Sequence, residues 1–326
     1  MNYSGSKFIL AVSLSAASFG ASAARAQQQR PQQQQVASSY RSNESVRSDK
    51  FTGGQIERAE LVAGEPDIEI TVDVPAFRLT LWQNGREVKT YAIGVGKKDF
   101  PISIGEKQAS EIIWNPDWIP PNSEWVTGRK GVKAGEVIRA SDPRNPLGKL
   151  KIPLGYGYLI HQAAAPTDLG NLVSHGCIRM LRADLYDLAE KIVAARGVPV
   201  SAKKIANAKV SKNTVVAKLD SPLVVDINYD TQVVEGGSLH LYPDVYDRGT
   251  NTVKTLRAEL ASSGVDASAL DDATLKAMLG RVGAKRKYVV SLESIAAGRA
   301  LADGRVLPLI GSPAAKKKVV AKRRAA

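Results

Sequence analysis

The one cysteine of this chain, Cys177, and two of its three histidines, His161 and His175, fall in one short stretch. It reads Ile160, His161, Gln162, then Pro166, Leu169 and Gly170, then Ser174, His175, Gly176, Cys177, Ile178, Arg179 and Met180. A thiolate is a working nucleophile, and a neighbouring imidazole can take the thiol proton and later return one to a leaving amine. These residue types therefore suffice for acyl transfer. Gly176 leaves room beside the sulfur for a substrate carbonyl, and a tight turn there would aim backbone N–H groups at a developing oxyanion. Arg179, two residues beyond the nucleophile, shares its face on an extended segment and suits a substrate carboxylate; a structural ion pair is the plainer alternative. Ser174 is grouped with Arg179 as a substrate-contacting residue. His175 also shares that face, so spacing alone does not choose the base. His161, His175 and Cys177 are one ligand short of a closed zinc site and would form at most an open catalytic one; the expectation is no metal and no cofactor.

The elements that must position these groups read as a mainly β domain with one packed helix. Ile68, Ile70, Val72 and Val74 alternate with polar residues as in a half-buried strand. Phe77, Leu79 and Leu81 continue the alternation, Asn84-Gly85 supplies a hairpin turn, and Val88 to Val95 returns as the next strand. Pro116, Trp118, Pro120 and Pro121 make 114–122 an ordered loop, either covering a sheet edge or gripping substrate. Leu154 to Ile160 reads as the strand that delivers His161. Leu185, Leu188, Ile192 and Val193 have helical spacing within 184–196, and Val198 to Val200 reads as a closing strand.

Beyond this, 202–219 is basic and alanine-rich and reads as a connector. Residues 220–310 carry a hairpin signal at Gly236-Gly237 and two short helices, around Leu256 and Leu260 and around Leu275 and Met278, the second capped by Asp271 or Asp272. This is expected to be a small α+β C-terminal appendage, with 311–326 a basic disordered tail. The catalytic domain is placed at 67–201.

The formal charge of +13 is partly that tail, where Lys316 to Lys318, Lys322, Arg323 and Arg324 crowd together. Such charge favours anionic partners, and the compartment decides among them. Lys7, the apolar run Phe8 to Ala17 and the small-x-small Ala24-Arg25-Ala26 read as a secretory signal peptide over 1–26, and Gln-rich 27–66 as a disordered linker. Export to the periplasm makes nucleic acid an unsuitable partner. A single cysteine in an exported chain has no intramolecular disulfide to form, which leaves it inert, paired between chains, or a working thiol.

At these residues the chain resembles the L,D-transpeptidase catalytic domain family, whose motif ends Ser-His-Gly-Cys-Ile-Arg-Met. Residues 114–118 and 145–148 resemble further family segments, and 222–246 resembles more loosely the segment C-terminal to the domain in Gram-negative members. The resemblance implies that Cys177 attacks the bond after the third residue of a tetrapeptide stem and releases D-alanine. An acceptor amine, on a peptidoglycan stem peptide or an envelope protein, then resolves the thioester. It implies that His161 is the base, that amides around His175, Gly176 and Cys177 form the oxyanion hole, that Arg179 is the family's arginine, and that carbapenems trap the nucleophile. Gln162 and Ala163 depart from the family's Gly-Thr, and 100–103 from its usual turn. A hydrolase of the same fold and an inactive wall-binding module are the competing readings.

Overall fold

The computed structural model describes residues 68–266 and 270–310. The signal-peptide and linker readings, and that of the tail, lie outside them. Among the described residues no helix is long and apolar enough to cross a membrane.

The first strands follow the alternation read from the sequence. They are β1 (Ile68–Asp73), β2 (Arg78–Gln83) and β3 (Arg86–Ala92), with Asn84-Gly85 closing the β2–β3 hairpin in left-handed backbone. A short β4 (Val95–Gly96) and a long β5 (Gly105–Trp114) come next. An excursion carrying α1 (Glu124–Thr127) leads to β6 (Leu150–Pro153), β7 (Leu159–Gln162), β8 (Leu172–Ser174) and β9 (Ile178–Met180). Residues 154–158 are the turn between β6 and β7, where two glycines, Gly155 and Gly157, take positive φ, so the strand expected over 154–160 is a turn followed by the first two residues of β7.

Helix α2 (Arg182–Ala195) buries Leu185, Leu188, Ala189 and Ile192, the stripe its periodicity marked. Residues 198–200 form no strand; their place is taken by α3 (Ala202–Val210), capped by the Ser201 hydroxyl accepting from Lys204 N at 3.2 Å. Strand β10 (Val215–Asn228) then enters the middle of the sheet, parallel to β1 and antiparallel to β5. The sheet order is β3-β2-β1-β10-β5-β6-β7-β9. The connector read over 202–219 is thus a helix and the start of a central strand, and the boundary at 220 falls inside β10. The reason is Pro222, which removes a ladder donor; the register shifts between Lys218 and Leu223, a bulge that accommodates it. On either side, Val215, Ala217 and Leu219, then Leu223, Val225 and Ile227, point into the core.

The C-terminal unit is a four-stranded antiparallel sheet of β11 (Gln232–Glu235), β12 (Ser238–Leu241), β13 (Arg286–Ser291) and β14 (Arg305–Pro308). Against it lie α4 (Val253–Ser262), α5 (Asp272–Leu279), α6 (Leu292–Ala296) and α7 (Ala300–Asp303). Leu239, Leu241, Leu256, Leu260, Leu275 and Met278 form a separate core. Asp271 is the α5 cap, accepting from Thr274 N. The α+β expectation therefore holds for 232–308.

Candidate active site

Strands β7 and β9 run parallel and side by side, pairing Ile160 with Ile178 and His161 with Arg179. Both isoleucines are fully buried in the main core, so His161 and Arg179 project from the other face. That face, with the turn before β9, opens into a cavity of about 840 Å³ whose lining includes Cys177, His161, His175, Ser174 and Arg179. Residues that sequence spacing could only group are thereby brought to one surface.

Ser174 and Gly176 shape the turn that presents the thiol. Ser174, 1% exposed, donates its hydroxyl to Cys177 O at 2.5 Å and accepts from Gly176 N at 3.2 Å. It braces the turn, and its hydroxyl is committed to backbone rather than offered to a ligand. The Gly176 amide is likewise engaged in this state. Gly176 itself sits at φ +107°, and a β-carbon there would lie 2.9 Å from Tyr158 Cε1, so both conformation and space require glycine. Behind the turn stands Gly96, where a β-carbon would be 3.0 Å from Gly176 Cα. Lys97 N donates to Ser174 O at 2.9 Å, fixing the two segments together.

The C-terminal unit holds this backing in place. Tyr246 donates its hydroxyl to Gly96 O at 3.0 Å, while its ring stacks on Tyr229 with centroids 5.5 Å apart. Tyr229 Oη in turn accepts from Tyr246 N at 2.7 Å and donates to Asp244 Oδ1 at 2.6 Å. Lys285 donates to Gly170 O at 2.6 Å and to Asn171 Oδ1, on the loop that enters β8. The segment read as an appendage is part of the support of the site.

His161 is 2% exposed, and its Nδ1 has no hydrogen-bond partner. Burial, and then the charge of Arg179, push its pKa well below the ordinary histidine value, while the Leu147 carbonyl favours the protonated ring. The imidazole is therefore neutral near pH 7 and able to accept a proton. Burial also pushes the Cys177 thiol up; the Leu159 amide and the Arg179 charge work the other way. The resting pair is a neutral thiol and a neutral imidazole. His175 is used differently: its ring lies against Trp125 with centroids 4.5 Å apart, and Phe100 meets it edge-on at 4.8 Å.

The proline-rich excursion forms the facing wall. Trp118, Val126, Val132, Ile138 and Leu147 make a small core of their own, and Trp118 and Trp125 line the cavity. Its base is tied by Asn115, whose side chain donates to Ala208 O at 2.7 Å and Asn213 O at 2.9 Å. Of the two roles open for this segment, lining the site is the one its position fits. Sequence reasoning missed Trp125, Tyr158, Arg129 and Lys151 in the lining. The alternation of β6 could have put Lys151 on the His161 face, once the 154–158 turn was recognised. Among the described residues no group of three or more His, Cys, Asp or Glu side chains is arranged to hold a metal ion.

Residues 67–215 match the model of the YkuD family, the L,D-transpeptidase catalytic domain. The Escherichia coli K12 proteins YbiS and ErfK/SrfK, each named a probable L,D-transpeptidase, are 29% identical over 126 residues and 30% over 142. The matches cover 38% and 40% of this chain and 41% and 43% of theirs, so the chain spans about two-fifths of those relatives' length. The Bacillus subtilis protein named putative L,D-transpeptidase YkuD is 30% identical over 145 residues, covering 43% of this chain and 70% of that one. With the Cys177 turn, the β7–β9 pair and these matches together, the chain belongs to the L,D-transpeptidase catalytic domain family.

Proposed function

We propose that the protein is an exported L,D-transpeptidase of the bacterial cell wall, acting in the periplasm on peptidoglycan stem peptides. The observation that carries this reading is the presence in one cavity lining of Cys177 and a buried, neutral His161 with an unpartnered Nδ1.

In this reaction His161 Nδ1 takes the thiol proton as Cys177 Sγ bonds to the carbonyl carbon of the third stem residue. Charge gathers on the carbonyl oxygen, which backbone amides of the turn other than the committed Gly176 amide stabilise. The C–N bond breaks, and the His161 proton leaves on the amine of D-alanine. An acceptor amine then attacks the thioester, its proton passes to His161, and the new amide forms as the Cys177 thiolate leaves and is reprotonated. Arg179 stabilises the thiolate and holds the terminal carboxylate of the donor.

Purified protein incubated with a tetrapeptide stem and an amine acceptor should yield D-alanine and the tripeptide–acceptor conjugate by mass spectrometry. Free tripeptide alone, with acceptor present, would assign a hydrolase. No thiol acylation at all would assign a wall-binding module. A carbapenem offers the same thiolate a strained carbonyl, and ring opening leaves the former leaving group tethered. One adduct per chain is expected, mapped to Cys177 and prevented by prior alkylation of the thiol; an adduct elsewhere would move the nucleophile.

A further inference from the structure

Three cationic side chains, Arg129, Lys151 and Arg179, line the cavity, and no aspartate or glutamate does. Among the described residues none of the three is in an ion pair. Arg179 reaches only Gln162 O, at 3.4 Å, and Arg129 lies over the Trp118 ring at 5.1 Å. Lys151 is also short of partners. Its ammonium is half-buried, and its one hydrogen bond is to Asp117 O, at 3.3 Å. The acids that act on it, Glu111 and Asp117, stand outside the cavity lining, and the Asp117 carboxylate is held by Arg139 at 2.7 Å.

Position gives this cation a meaning. Lys151 pairs with His161 across β6 and β7, and Arg179 pairs with His161 across β7 and β9. Directly paired residues share a face, so Lys151, His161 and Arg179 form one row with the base at its centre. A half-buried ammonium with unused donors is poorly compensated for lost hydration, which an anionic ligand would restore. A ligand whose scissile bond lies at Cys177 and His161, with its terminal carboxylate at Arg179, brings its acyl portion past the other side of the row.

We propose that Lys151 is a specificity-determining residue that binds a second, non-terminal carboxylate of the acyl donor, so that the site selects doubly anionic peptides over their amides. This rests on the transpeptidase reading for the direction of the donor. Two carboxylates could supply the group: one on the side chain of the residue whose carbonyl is attacked, or one on the residue before it.

The test measures equilibrium binding to the full chain carrying Cys177→Ala, with Lys151 intact, Lys151→Met or Lys151→Arg. The probes are three tetrapeptides: one with both non-terminal carboxylates, and one with each amidated in turn. With Lys151 intact, amidating one of the two carboxylates should weaken binding about tenfold to a hundredfold, the range of a charge-assisted hydrogen bond. Which amide does so names the source. Lys151→Met should lose that preference while binding the amidated peptide as before, and Lys151→Arg should keep it. A preference that survives Lys151→Met, equal weakening for all three peptides, or no preference with Lys151 intact would each overturn the proposal. Turnover by the Cys177 protein, measured alongside, separates this from the reaction: Lys151-dependent binding without turnover supports the subsite and removes the transpeptidase reading.

Discussion

The indole of Trp125 lies nearly flat on the imidazole of His175, 8° from parallel with centroids 4.5 Å apart. With Phe100 at its edge, His175 is packed as part of the cavity wall, whereas His161 presents an unpartnered ring nitrogen. Two histidines that spacing treats alike are thus given different work by their neighbours.

His161→Ala should therefore lower the rate of Cys177 acylation by about 10²- to 10⁴-fold, the usual contribution of a general base. His175→Ala should lower the melting temperature as its stacking is lost, with a smaller effect on rate. Single-turnover acylation and thermal melts on both variants check this; the opposite pattern would make His175 the base.

Because burial holds the folded-state pKa of His161 below its unfolded value of about 6.5, the unfolded chain binds the extra proton first as pH falls. The stability this group contributes is fully present above about pH 6.5 and is lost on acidification from there toward the folded pKa. Thermal melts between pH 7.5 and 5 should show a fall that is shallower in His161→Gln. Equal slopes would place the acid sensitivity elsewhere.

Gly176→Ala combines a strained backbone with a collision against Tyr158, whereas Gly105, at φ +97°, has open space around its missing side chain. Both alanine variants should lose roughly 1–3 kcal/mol of stability from backbone strain. Only Gly176→Ala should also lose acylation, by at least about tenfold when the displacement at the sulfur is compared with a near-attack geometry. Chemical denaturation and acylation kinetics on the pair separate the two effects.

Tyr246→Phe removes the hydroxyl that donates to Gly96 O and keeps the ring stacked on Tyr229. With it goes the hydrogen bond accepted from Ile102 N at 3.4 Å, and the two together should cost about 1–2 kcal/mol. Because Gly96 backs Gly176, kcat should fall several-fold with KM nearly unchanged. A loss of stability with unaltered kcat would make Tyr246 a structural tie only.

The local chemistry was legible in the sequence because it depends on residue type and short spacing. A thiol beside a glycine, histidines nearby, the alternation in β1 and β2 and the periodicity of α2 all follow from rules that act within a few residues. The tight turn expected at Gly176 is legible from its residue type, while the nearness of Tyr158, which also excludes a side chain there, is not. Whatever depends on pairing between distant strands was decided by the tertiary structure. Pro222 hid β10, because only a bulge between two partner strands makes a proline tolerable there. Register put Lys151 and Arg179 on either side of His161. Packing placed Ser174 as a brace of the turn and His175 in the wall and left His161 buried with an unpartnered ring nitrogen, since burial and unfilled hydrogen-bond capacity are set by neighbours that lie far away along the chain.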